Sequence, residues 1–118
     1  MKIAYMWGGM NRGGAETLLL DMFENAHTAP FPFIGIHRKG GSMQEQFYQT
    51  APDIFCLRPQ KGNFVGYFRK LRSLLKQQQV TVVHAQQFLD CLYARIATLG
   101  TGIKIVQTFH GYDYDANR

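Results

Sequence analysis

The sequence is poor in cysteine and in acid, and it has no long apolar run. Its 118 residues include only two cysteines, Cys56 and Cys91. They stand too far apart for any metal-ligand spacing, which excludes zinc-type sites, and a chain this long can bury a core without disulfide staples. Both lie in apolar contexts and read as buried free thiols of a reducing compartment. No stretch approaches the roughly 20 apolar residues that a membrane span needs. A secretory leader is also missing: Lys2 supplies a positive start, but the apolar run from Ile3 to Trp7 is short and Gly8-Gly9 ends it. The expected location is therefore cytoplasmic. There is no internal repeat and no low-complexity tract, so one packed domain is expected. Acidic side chains number 8 against 13 Lys and Arg, for a net charge of +5. That balance favours anionic partners: nucleotide, phosphate, nucleic acid or lipid headgroup.

Two phosphate-binding signatures are absent as well. A P-loop needs Lys-Ser or Lys-Thr after its closing glycine, whereas Gly13 is followed by Gly14-Ala15. The dinucleotide fingerprint G-x-G-x-x-G does not occur in this turn, and the second expected strand ends in His37-Arg38-Lys39 instead of an acid for a ribose. A basic end suits a 2′-phosphate, which leaves open a stand-alone nucleotide- or NADP-binding module.

What is present is a strict alternation. Lys2–Met6, Phe33–His37, Asp53–Leu57, Val80–His84 and Ile103–Phe109 read as short buried strands. Between them, apolar residues recur at helical spacing. The first helix carries Ala15, Leu18, Leu19, Met22, Phe23 and Ala26, and Ala29-Pro30-Phe31-Pro32 stops it. Ser42 with Glu45 forms a capping box for a short helix from Met43 to about Gln49. Asn63 caps a third helix with Phe64, Tyr67, Phe68, Leu71, Leu74 and Leu75 on one face. Phe88, Leu89, Leu92, Tyr93 and Ile96 mark the apolar face of a fourth, which ends near Gly100. Alternation of this kind predicts parallel strands joined by right-handed crossovers. The expected fold is α/β, an open doubly wound parallel sheet (Rossmann-like) of about five strands with helices on both faces. No helix follows the fifth strand, which suggests a fragment or a covered edge.

Ligands of such sheets sit outside the carboxyl ends of the strands. That rule selects the turn Gly8 to Gly14, the His37-Arg38-Lys39 segment, His84 with Gln86 and Gln87, and His110-Gly111-Tyr112-Asp113. Three of the four histidines then project towards one rim, with His27 left on the surface. Four glycines in the seven positions from Gly8 to Gly14 permit close backbone approach. The helix that follows aims free amides and its positive dipole end at the same space, an anion cradle. A plain strand-to-helix connector is the bland alternative. Glu16, in the first helical turn, complements the dipole or contacts a ligand. His110 is the stronger histidine candidate, with Asp113 expected either to orient it or to bind a hydroxyl. Arg69, Lys70, Arg72 and Lys76 form either an ordinary solvated face or a surface that leans on anionic membrane. Nucleic acid is disfavoured, because the aromatics fall where the core belongs.

Gly13-Gly14-Ala15-Glu16 leading into Leu18-Leu19-Leu20-Asp21 resembles the start of family 4 glycosyltransferases with the two-domain B-type fold. Val82-Val83-His84-Ala85 is similar to their fourth-strand motif, and Thr108-Phe109-His110-Gly111-Tyr112-Asp113 to the end of their fifth strand. The matches fall in order and span nearly the whole chain. Where the family often has His-Ala-His, this chain has His84-Ala85-Gln86. The resemblance implies retaining transfer of a hexose-type sugar from a nucleotide-sugar donor to a saccharide or lipid-linked acceptor, as in polysaccharide biosynthesis. It implies that residues 1–118 are the N-terminal, acceptor-side domain, inactive without a donor-binding C-terminal domain in cis. It places His110 at the reaction centre and Gly13 and Gly14 at the donor pyrophosphate, with Glu16, His84 and Asp113 as acceptor-side or supporting residues. No metal and no further cofactor is expected. The protein is expected in the cytoplasm, with a peripheral contact at the inner face of the membrane through the basic helix near Arg69.

Overall fold

The computed structural model describes residues 1–9 and 14–107. Short runs of branched and aromatic residues, bounded by glycine, proline or polar turns, make five strands: β1 Ile3–Trp7, β2 Phe33–His37, β3 Ile54–Cys56, β4 Val82–Ala85 and β5 Lys104–Gln107. Amphipathic segments between them make α1 Gly14–Glu24, α2 Gln44–Tyr48, α3 Phe64–Gln77 and α4 Phe88–Ala97, with a short 3-10 turn at Ala26–Thr28. All pairings are parallel, in the order β3-β2-β1-β4-β5. The order reverses between β1 and β4, so the carboxyl ends of these two strands flank the switch point.

Period-two alternation divides the core into two layers. Ala4, Met6, Ile34, Ile36 and Val83 meet Tyr67, Leu71 and Leu75 of α3 and Ala94 and Ala97 of α4. On the opposite face, Trp7 and Phe33 meet Leu19, Leu20 and Phe23 of α1 and Phe47 of α2. This second layer is aromatic. It closes tightly over Gly35, where an added Cβ would stand 2.8 Å from Trp7 and 2.9 Å from Phe23. Asn63 caps α3 as expected, its side chain accepting from the Gly66 amide at 3.2 Å.

Four expectations need correction. The short helix α2 starts one residue later than the Ser42–Glu45 capping box requires: Met43 is its N-cap residue, with the side chain buried in the core. In α1, three consecutive leucines span too wide an arc to be buried together, and Leu18 is the one left exposed. In α4 four of the five expected apolar residues, Phe88, Leu89, Leu92 and Ile96, are exposed, and Tyr93 alone packs on Tyr67 and Phe68 of α3. Asp90, Cys91, Ala94 and Ala97 are buried instead, since small residues let the helix approach the sheet and Asp90 is held by a cation beneath it. Cys91 is buried as expected, but Cys56, the last residue of edge strand β3, is exposed. The fifth strand is covered on one face, where Ile103 and Ile105 pack on the α3–α4 layer, and Val106 is exposed on the other. Its expected last two residues, Thr108 and Phe109, lie outside the described residues.

Candidate functional site

The carboxyl ends of β1, β2 and β4 converge on Gly8 and Gly9. The Gly8 carbonyl accepts hydrogen bonds from the Arg38 and Lys39 amides at 3.0 and 2.9 Å. On the other side, the Gln86 amide donates to the Met6 carbonyl at 2.9 Å. The start of the glycine turn is thereby wedged between the loops that follow β2 and β4. A Cβ on Gly8 would lie 2.7 Å from both Arg38 Nη2 and Gln87 Oε1, so a larger residue there would displace the ends of these two side chains. A Cβ on Gly9 would lie 3.4 Å from Lys39 Cε. Lys39 is exposed beside this turn and supplies positive charge at its edge.

Arg38 serves a different end. Its Nε donates to Asp90 Oδ1 at 2.9 Å and its Nη2 to Gln87 Oε1 at 3.0 Å. Its guanidinium also lies 5.9 Å from the Tyr93 ring centroid. Asp90 is 0% exposed. Burial pushes its carboxyl up, opposed by the hydrogen bond and charge of Arg38. The guanidinium is thus committed to holding α4 under the glycine turn, and Lys39 is the cation of the pair that faces solvent.

Of the histidines expected on one rim, His37 does not reach it, and His110 lies outside the described residues. His37 is buried on the aromatic face, stacked on Trp7 with ring centroids 5.9 Å apart. Its Nδ1 is 3.0 Å from the Lys39 carbonyl and its Nε2 is 2.8 Å from the Tyr48 hydroxyl. A carbonyl only accepts, so Nδ1 carries the proton and Nε2 accepts from Tyr48. Its place at the end of β2 turns the ring under α2 and away from the cleft. His84 lies in β4 opposite Tyr5 of β1, half-buried, with the rings edge-on at 5.2 Å. The Gln86 side-chain amide donates to His84 Nδ1 at 3.0 Å, which leaves the His84 proton on Nε2. Gln86 thus orients His84 from two residues away. Exposed His27 lies in the 3-10 turn, as expected.

Burial lowers the pKa of both His37 and His84 below the ordinary 6.5, and Arg58 adds to the effect at His37 against the Lys39 carbonyl. A lowered histidine is neutral in the fold, while the unfolded chain takes up the proton more readily. The stability His37 contributes is therefore whole above pH 6.5 and is lost as the pH falls through that value towards the folded one. Imidazole NMR should find His37 neutral at pH 6.5, as the Nδ1–H tautomer. Half-protonation at or above that pH would contradict the buried arrangement.

Of the candidates from sequence, Gly14 opens α1, Glu16 stands in its first turn and His84 lies on β4. Gly13, His110 and Asp113 lie outside the described residues. Sequence reasoning missed the link from Arg38 to Asp90 and the role of Gln87. A signal did exist, since Asp90 is the only acid between Ile54 and Gln107. A groove of about 480 Å³ lined by Ile3, Tyr5, Met22 and Phe33 opens towards the amino ends of the strands, on the wrong side of the sheet for the ligand rule. Among the described residues, no helix is long and apolar enough to cross a membrane.

The sequence model of Glycosyltransferase Family 4 matches residues 12–118. No protein of curated function matches the sequence.

Proposed function

The chain belongs to glycosyltransferase family 4, and we propose that it forms the acceptor-side domain of a retaining hexosyltransferase, which moves a sugar from a nucleotide donor to a saccharide or lipid-linked acceptor. The observation that carries this reading is the convergence of Gly8, Gly9, Lys39, Gln86 and Gln87 at the switch point, beside a helix that starts at Gly14. Free amides at the start of α1, with Gly13 and Gly14, would hold the donor pyrophosphate as it leaves, and Lys39 would add charge at the edge. His110 would stand by the donor sugar and position its hydroxyls, with Asp113 orienting it. Glu16 and His84 would line the acceptor side, and Gln86 would take the place of a second histidine by fixing the His84 ring. A second domain in cis would supply the nucleotide pocket, so residues 1–118 alone would bind donors weakly and turn none over.

An NADP site finds less support, because Arg38, the middle cation of the His37-Arg38-Lys39 segment, is engaged by Asp90 and Gln87. Membrane contact through the basic helix near Arg69 is also part of the proposal and would bring a lipid-linked acceptor to the cleft. In the whole transferase, His110→Ala should lower kcat by about 10²-fold or more with little change in stability. Unchanged turnover would remove His110 from the reaction centre.

A further inference from the structure

We infer that Gln87 is a substrate-binding residue whose side-chain NH2 group donates a hydrogen bond to a phosphoryl oxygen of the nucleotide-sugar donor, and that Arg38 and Asp90 are positioning residues that orient it. The inference deepens the function proposed above and rests on that reading.

Gln87 follows β4 as the N-cap residue of α4, with extended backbone. Helices are ordinarily capped at this position by a short polar side chain such as Ser, Thr, Asp or Asn. Gln87 makes no such bond. Its longer side chain turns to Arg38, whose Nη2 donates to Oε1 at 3.0 Å. A guanidinium only donates, so this contact decides which way round the carboxamide stands. The oxygen is held by Arg38, and the NH2 group is the branch left over, with two donors and no partner among the described residues. Arg38 is itself held, since its Nε donates at 2.9 Å to Asp90, which is fully buried. Asp90, Arg38 and Gln87 thus form a relay that begins in the core and ends on an exposed residue. Holding a long glutamine side chain in one rotamer costs conformational entropy, which a merely solvated residue keeps.

Place and chemistry select the ligand. The Arg38–Gln87 bond lies against Gly8, since a Cβ there would meet both of its atoms at 2.7 Å. The carboxamide therefore borders the start of the glycine turn, between the carboxyl ends of β1 and β4, where the strand order reverses. Ligands of open parallel sheets bind outside that point. The bond from Arg38 to Oε1 also polarises the carboxamide and strengthens its NH2 group as a donor. An NH2 donor takes an oxygen as its partner. Arg38 beneath it and Lys39, exposed beside Gly9, favour an oxygen that carries negative charge. In a nucleotide-sugar those are the phosphoryl oxygens.

The test is steady-state kinetics of the whole transferase carrying Gln87→Met or Gln87→Glu. Methionine keeps the length of the side chain without a donor. Glutamate keeps an acceptor for Arg38 and removes only the NH2 group. Gln87 is exposed, and circular dichroism verifies that both variants are folded. Each should raise the KM for the nucleotide-sugar by about tenfold or more, with a smaller change in kcat and none in the KM for the acceptor. If Gln87 served only to tie Arg38 to α4, Gln87→Glu would preserve that tie and leave the donor KM where it was. An unchanged donor KM in either variant would overturn the inference and leave the proposed function standing. A rise confined to the acceptor KM would overturn it as well. Failure of the parent enzyme to turn over any nucleotide-sugar would overturn the proposed function, and the inference with it.

Discussion

Arg38→Ala is expected to lower folding stability by about 3–5 kcal/mol, the usual cost of stranding one member of a buried ion pair. Asp90 is fully buried, and its Oδ2 has no hydrogen-bond partner among the described residues, so the loss of Arg38 leaves a carboxyl with neither charge nor donor beside it. The side chain also bonds Gln87, and together these groups form the bed under Gly8. Arg38→Lys should recover only part of the loss, because one ammonium does not reproduce the separate bonds from Nε and Nη2. The double change Arg38→Met with Asp90→Leu should be markedly more stable than Arg38→Ala, since it removes the stranded charge as well. Urea unfolding of the three variants measures this. A loss under about 1 kcal/mol for Arg38→Ala would mean that the pair behaves like a surface contact.

Phe23→Ala is expected to cost a similar amount, about 3–5 kcal/mol. Phe23 is the hub of the aromatic layer, with ring centroids 4.9 Å from Phe33, 5.6 Å from Phe47 and 5.7 Å from Trp7. Its removal opens a cavity between α1, α2 and the sheet. Gly35→Ala probes the same layer from the other direction, as its methyl group would press on both Trp7 and Phe23. Overpacking of this kind costs about 1–3 kcal/mol. Thermal and chemical denaturation should rank Phe23→Ala below Gly35→Ala, and the reverse order would place the hub elsewhere.

The order of elements was legible from the sequence because strand and helix periods alternate so cleanly. Phe33–His37 forms a strand with those bounds, and α3 begins where Asn63 caps it. The strand order, and with it the switch point between β1 and β4, came from the structure. What escaped was the rotation of individual helices. Periodicity assigns large apolar residues to the core, but in α4 the close approach of Ala94 and Ala97 and the pairing of Asp90 with Arg38 outweighed it. A buried ion pair between residues 52 apart leaves no local pattern. His37 was misplaced for a related reason. Sitting at the end of a strand fixes neither the face nor the neighbours, and Tyr48 and the Lys39 carbonyl draw it inward. His84 kept its place on β4, but the residue that orients it, Gln86, stands where the resemblance led one to expect a second histidine.

The most direct measurement is a titration of ¹⁵N-labelled chain with nucleotide-sugars of several bases, and separately with NADP, followed by amide chemical shifts. Donor binding at the switch point predicts weak, saturable shifts at Gly8, Gly9, Gln86 and Gln87 with at least one nucleotide-sugar, and none beyond background with NADP. Tight NADP binding with shifts at these amides, and no response to any nucleotide-sugar, would contradict it.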